Sequence, residues 1–403
     1  MKLKKLPILI SLIMMLFAGC VPPEYYFRAL PENPDSPVTV AAFLPLTGSN
    51  KVYAEQMREG LLAAEARINN RRGIAGRKIK LRIIDTAGSA EGTAAALKKA
   101  ENYGAVAAIA GYSTNEVSIL IKHADRLRMP MVIPMATSDK HVEASPFIYR
   151  NSFSDQQQME TLAAYIYFWR KLSRGAIITD KTGDEEYSRN ISRNFTQAVR
   201  DLSGEITINT VINSNAQISD NEIIKLLATD PEFILISATG KRAAEMIIKL
   251  RESRFRGIIC GPDSWDDDLI CESLKGIHPG ECVFTALFNP ENSSREFVEF
   301  KKDFRQRFFH APGPCETQSY DALVFLAIGL EKASHLFTFD RNWRKITALP
   351  GAAAYYTMGR KGAIDRTIYL KNFRINHDGD QQIVTNVVHK LQYSKIKDYK
   401  VIE

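Results

Sequence analysis

The sequence predicts an α/β protein of two lobes, each a mostly parallel sheet flanked by helices. Three observations predict it. Strand-like and helix-like patterns alternate from residue 38 onward, and helical crossovers imply parallel strands covered on both faces. About 365 residues follow residue 37, more than one hydrophobic core usually holds. Strand ends carrying Ser, Thr and Asp fall into two groups, before residue 140 and after 235, as two facing lobes would place them.

The elements read in order as follows. "VTVAAFLPL" (38–46) is a strand, and residues 54–70 are a helix with Met57, Leu61, Ala64 and Ile68 on one stripe. "KIKLRIIDT" (78–86) is the next strand, with Asp85 near its tip as cleft lining or a loop cap. A helix at 90–103, a strand at 105–111 and a helix at 115–128 lead to "PMVIPMATSD" (130–139), an apolar strand ending in a polar loop. The alternation resumes with helix 155–170, strand 175–180, helix 185–201 and strand 205–212. Helix 219–228, strand 233–238, helix 241–253 and strand 257–261 follow. A short helix near 267–273 precedes strand 282–288. Helices at 294–309 and 314–334 come next, the first with Phe297, Phe300, Phe304 and Phe308 on its apolar side. Residues 359–398 read as strands joined by the turn-like "NHDGDQQ".

The start of the chain reads differently. Lys2, Lys4 and Lys5 precede an apolar run from Leu6 to Phe17, then Ala18, Gly19 and Cys20. That is a secretory signal pattern, too short for an ordinary spanning helix. Its small-small-Cys ending resembles the bacterial lipoprotein cleavage box, which implies lipidation at Cys20; Phe17 stands where such boxes favour leucine. Residues 21–37 are proline-rich and aperiodic, a tether. The formal charge is +7, and about +4 remains without the three leader lysines. No basic stripe points to nucleic acid.

Export permits disulfides, and Cys271 with Cys282 is a candidate pair by sequence distance, although sequence leaves the connectivity open. The cysteine spacings do not match a metal cluster. The seven histidines are scattered, and no H-E-x-x-H, G-x-S-x-G, Walker or dinucleotide fingerprint occurs. No cofactor and no enzymatic role are expected.

The stretch from Val40 to Ala100, with its L-T-G strand end, I-N helix end and G-I-x-G-x-x-I turn, resembles the periplasmic binding proteins for branched-chain amino acids. "AIAGYSTNEVSI" and "PMVIPMATSD" carry the likeness further. These proteins are receptors of ABC importers with the periplasmic binding fold type I. The resemblance implies lobe 1 from 38–150 and 289–360, lobe 2 from 151–288 and 361–403, and three hinge crossings near 150–154, 286–290 and 358–364. It implies that Ser113 or Thr114, with Ala136 and Thr137, holds a ligand carboxylate, and that Asp263 meets the ligand's ammonium. Neutral hydroxyls and N–H groups at a helix amino end suit a carboxylate. Asn115 is an alternative N-cap there, and Asp263 or Asp266–Asp268 as caps of the next helix is the alternative to a site role. Tyr53 is expected to line the cleft or to lie on the surface, and Thr239 stands at the position of a tyrosine in relatives. Asp180 is kept but the Tyr-Gly pair that follows it in the family is missing, and Tyr187 falls later on a helix. Trp265 is either a pocket filler or a core residue. The resemblance implies a monomer that binds an amino-acid-like ligand, docks on ABC importer membrane subunits, and is held at the membrane facing the periplasm by its lipid anchor. Ligand sensing and a cell-envelope interaction role are the rival uses of the same fold.

Overall fold

A computed structural model describes residues 26, 33, 35–215, 217–359, 364–376 and 382–393. The signal segment, Cys20 and most of the tether lie outside the described residues. The first sheet holds five parallel strands in the order β2-β1-β3-β4-β5: β1 (Val38–Leu44), β2 (Ile79–Asp85), β3 (Ala107–Ile109), β4 (Met131–Ile133) and β5 (Ile148–Arg150). Helix α1 (Lys51–Asn70) crosses from β1 to β2 and buries Met57, Leu61, Ala64 and Ile68, the stripe read from the sequence. Helix α2 (Ala90–Asn102) leads to β3. The single helix expected over 115–128 is two pieces, α3 (Thr114–Ile121) and α4 (Ala124–Leu127). The break keeps Val117, Leu120 and Ala124 in one apolar cluster, so burial outweighs helix continuity. A short α5 (Asp139–Glu143) links β4 and β5.

The second sheet is mixed. Its parallel part runs β10-β9-β8-β6-β7: β6 (Arg174–Asp180), β7 (Glu205–Ile212), β8 (Phe233–Ser237), β9 (Ile258–Gly261) and β10 (Cys282–Ala286). Helix α6 (Asp155–Ala164) leads from β5 of the first sheet to β6, and α7 (Glu185–Asp201), α8 (Asp220–Leu227), α9 (Gly240–Glu252) and α10 (Asp268–Ser273) are the crossovers within the second. Helices α11 (Arg295–Phe308), α12 (Pro314–Leu330) and α13 (Leu336–Trp343) then return to the first lobe, where Phe297, Phe300, Phe304, Leu326 and Phe339 join the β1 core. Helix α13 and the strands β11 (Leu349–Pro350) and β12 (Tyr355–Met358) were not legible as periodic patterns, because each is short.

The long strand β13 (Ile364–Asn376) pairs antiparallel with β12, β10 and β14 (Gln382–Gln392). Ile364 packs in the first lobe's core, whereas Leu370 and Phe373 pack in the second lobe's clusters. One strand therefore serves both lobes. Beside it, the guanidinium of fully buried Arg366 donates to the carbonyls of Asn151 (2.9 Å) and Leu287 (2.6 Å) and to Gln318 Oε1 (3.0 Å). It thereby ties the first two expected crossings to the strand that follows the third; residues 360–363 of that third crossing lie outside the described residues.

Cys260, Cys271, Cys282 and Cys315 are all buried and free, so the candidate pair Cys271–Cys282 is not formed. Cys282 opens β10 with its Sγ turned to the Pro279 carbonyl (3.4 Å), while Cys271 sits on α10. Burial holds both thiols up at about 12, so both are protonated at neutral pH.

Candidate functional site

Segments that follow strand carboxyl ends of both sheets hydrogen-bond to each other, and α/β folds gather ligands at such ends. On the first lobe, Ser113 is the N-cap of α3: its Oγ accepts the Glu116 N–H (3.3 Å) and Glu116 Oε2 accepts the Ser113 N–H (3.3 Å). That capping box leaves Asn115 inside the helix, not at its cap. Thr114, 2 % exposed, is the first helical residue. The Asn115 N–H meets Asp184 Oδ2 at 3.4 Å, and Asp184 Oδ1 accepts the Tyr187 N–H (3.1 Å) as N-cap of α7. One carboxylate from the second lobe thus faces two helix amino ends, the electrostatic setting an anion prefers.

The Ala136–Thr137 turn is held by the chain's first crossing. Ser152 Oγ donates to the Ala136 carbonyl (3.2 Å), and Arg150 Nη1 donates to the Thr137 carbonyl (3.1 Å). Thr137 Oγ1 donates to Asp155 Oδ1 at 2.6 Å. Asp155 is the first residue of α6, fixed there by the Ser154–Gln157 capping box. Its other oxygen, Oδ2, is buried without a hydrogen-bond partner. Burial is the main force that raises this carboxyl to about 7; the Thr137 hydrogen bond opposes the rise, and Asp139 and Asp263 add to it.

Gln158, one turn on, joins the two lobes' predicted groups. Its Nε2 donates to Asp155 Oδ1 (3.3 Å), and its Oε1 accepts the Asp263 N–H (3.1 Å) and the Thr285 hydroxyl (2.8 Å). Asp263 Oδ1 accepts the hydroxyl of Tyr187 at 2.6 Å. Burial raises Asp263, and the Tyr187 and Gln158 hydrogen bonds work against that rise. Thr137 and Asp263 therefore lie in one network, reached through Asp155, Gln158 and Tyr187. Sequence reasoning assigned none of these three to the site. The S-x-x-Q cap at 154–157 was the available signal for Asp155.

Tyr53 stacks on Tyr112, with ring centroids 4.5 Å apart, and donates its hydroxyl to Asp267 Oδ2 at 2.5 Å. That bond joins residues 214 positions apart, the tyrosine on α1 and the carboxylate at the start of α10. Asp267, not Asp263, caps α10 by accepting the Leu269 N–H (2.9 Å). Asp266 pairs with buried Lys371 (2.7 Å). Trp265 is a core residue, fully buried, with Nε1 donating to the Ala238 carbonyl (3.1 Å). Thr239 stands at the N-cap position of α9, where its side chain makes no cap hydrogen bond. Asp85 is a loop cap that accepts from Thr47 and from the Ala87 N–H.

Helix α7 also reaches the first lobe through Glu186, which accepts from Ser118 Oγ (3.2 Å), and Asn190, which donates to Ser138 Oγ (3.3 Å). Asp155, Asp184, Asp263 and Asp267 converge here, each raised chiefly by burial. The nearby cation Arg150 is already engaged with the Thr137 and Ser138 carbonyls and Asp139. The site is therefore acidic and equipped to accept hydrogen bonds from a cation. No helix among the described residues is long and apolar enough to cross a membrane.

A family model described as periplasmic binding protein matches residues 37–380. Among curated proteins, the Leu/Ile/Val-binding protein BraC3 of Rhizobium johnstonii is 32% identical over 148 residues, 36% of this chain and 40% of that protein. Leu/Ile/Val-binding protein homolog 1 of Brucella abortus is 25% identical over 297 residues, 72% of this chain and 77% of its own length. The first two curated relatives are thus matched over less than half of their length, 40% and 44%. Among solved structures, the leucine-binding protein LivK of Thermotoga maritima superposes with a TM-score of 0.73 at 20% identity, covering 88% of this chain and 98% of that one. A solute-binding protein of R. palustris in complex with benzoate gives 0.69 at 15% identity, covering 88% and 98%. At such identities the likeness shows the two-lobed fold.

Proposed function

The chain belongs to the periplasmic binding protein family, and we propose that it is the solute receptor of an ABC importer, capturing an ammonium-bearing ligand such as an amino acid. One observation carries the reading. Asp155, with a buried oxygen lacking any partner, is joined to Asp263 through Gln158 and to Thr137 of the first lobe. A desolvated ammonium needs such carboxylates to offset its burial. Relatives named for leucine, isoleucine and valine support an amino acid over a ligand such as benzoate, which lacks the cation. Lobe 1 (38–150 and 289–360) receives the ligand at Ser113, Thr114, Ala136 and Thr137. Lobe 2 (151–288 and 361–403) closes on it with Asp263, while Tyr53 and Thr239 border the cleft. Closure is stabilised by the ligand's differential affinity for the closed form. The receptor makes and breaks no bonds.

Calorimetry on the purified protein with a panel of amino acids, their amides and benzoate tests the reading. An amino acid should bind, and Asp263→Asn should weaken it about tenfold to a hundredfold, the worth of a charged hydrogen bond. Binding of benzoate alone, or an amino-acid affinity unmoved by Asp263→Asn, overturns it. The Asp184 carboxylate at the amino end of α3 favours a second reading, a cell-envelope interaction lipoprotein whose lobe surfaces do the work. Absence of binding by the whole panel decides for it. Either role places the protein outside the cytoplasm, tethered through Cys20. Labelled palmitate should enter the wild type and not Cys20→Ser; equal labelling excludes the anchor.

A further inference from the structure

We propose that Glu59, His310 and Glu316 form a divalent transition-metal site on the first lobe, with zinc as the fitting ion. The three side chains come from α1, the loop after α11 and the first turn of α12, and their ligand atoms lie within 4.8 Å of one another. The local folding brings them together. A Cβ at Gly60 would stand 2.0 Å from the Glu316 carbonyl oxygen, so only glycine lets α1 and α12 approach this closely beside Glu59. Phe309 ends α11 in the left-handed region (φ 65°) and turns the chain back toward α1. Arg307 Nη1, which donates to the Leu62 carbonyl (2.9 Å), pins that return.

The imidazole is oriented as a ligand is. His310 Nδ1 lies 3.0 Å from the Ala311 carbonyl, an acceptor, so Nδ1 carries the proton and donates. The ring edge also packs on Phe304, with centroids 5.3 Å apart. Backbone-held Nδ1–H is the arrangement that fixes the tautomer of metal-bound histidines. In that tautomer the Nε2 lone pair points at Glu59 Oε2, 2.8 Å away. Two acceptors at that distance require a proton or a cation between them. A proton would satisfy this pair alone. A metal ion also engages Glu316, a residue 2 % exposed whose Oε2 accepts the Gly313 N–H (3.0 Å). No Lys or Arg bridge to Glu59 or Glu316 occurs among the described residues. Zinc bonds of about 2.0–2.2 Å put neighbouring ligand atoms roughly 3.3–3.5 Å apart, within reach of side-chain rotation here. One imidazole with two carboxylates leaves a fourth position for water.

All three ligands belong to the first lobe, so the site fills whatever the cleft binds. After dialysis against EDTA, zinc chloride titrated into the full chain should bind once per molecule and raise the unfolding midpoint. Glu59→Gln and His310→Ala should each weaken binding tenfold or more, while unfolding in EDTA like the wild type. Glu59→Gln, at a partly exposed helix position, serves alone if His310→Ala does not fold. No saturable zinc binding, or affinity equal to wild type in Glu59→Gln, overturns the site and leaves a protonated His310–Glu59 pair.

Discussion

Asp155 shows how one buried atom sets a residue's chemistry. Its Oδ1 is served by Thr137 and Gln158 while Oδ2 has no partner, so burial dominates and the carboxyl titrates near 7 instead of the ordinary 3.8. The sign follows from linkage. Between about pH 4 and 7 the folded state keeps a proton that the unfolded state has released, so this group's contribution to stability falls as pH rises. Asp155→Asn removes that loss. Urea unfolding at pH 5 and pH 8 should show wild-type stability dropping by about 2–3 kcal/mol more than the variant's across that interval. Parallel pH profiles for the two proteins would refute the raised carboxyl. Asp263 is likewise raised by burial, with the Tyr187 and Gln158 hydrogen bonds opposing the rise.

At the scale of elements, helix α7 is the piece that meets the other lobe. Asp184, Glu186, Tyr187 and Asn190 fall within two turns of one another; Asp184, Glu186 and Asn190 meet Asn115, Ser118 and Ser138 of the first lobe, while Tyr187 holds Asp263 of its own lobe. Its i, i+3 and i+4 spacing makes a single polar stripe, while Ile191, Phe195 and Val199 bury in the second lobe. Tyr187 was legible as a helical residue, but its target was not, because Asp263 lies 76 positions away. The pair at Cys271 and Cys282 failed for a related reason. Closeness in sequence says nothing about which way β10 and α10 turn their thiols.

For the whole molecule, Arg366 is the common fastening. Its guanidinium bonds Asn151, Leu287, Gln318 and the Thr367 carbonyl, and lies 5.0 Å from the ring centroid of Tyr356. Tyr356 in turn donates to Gln318 and Asp321, whose two oxygens accept the N–H groups of Ala352 and Ala353. This network holds the chain segments at 151, 287 and 366 in register with one another. Arg366→Leu leaves several buried acceptors unmet, each worth about 1–3 kcal/mol. It should lower urea-unfolding stability by at least about 3 kcal/mol. A loss below about 1 kcal/mol would show that the crossings do not depend on it.

The two-lobed α/β fold was legible because strand and helix periodicity are local properties and helical crossovers force parallel pairing. The strand tips at 136–137 and 263 were legible for the same reason, since each follows a short apolar run. Asp155 and Gln158 were not, since an acid at the start of a helix reads as an ordinary first-turn charge until Thr137 of the first lobe packs against it. Glu59 and His310 likewise look like surface residues 251 positions apart. The sequence by itself determined the alternation, the two cores and the polar tips, all written in short-range patterns of hydrophobicity. Only the tertiary structure decided which carboxylates lose water and which find a partner, because desolvation and pairing depend on distances that the packing of one lobe on another creates.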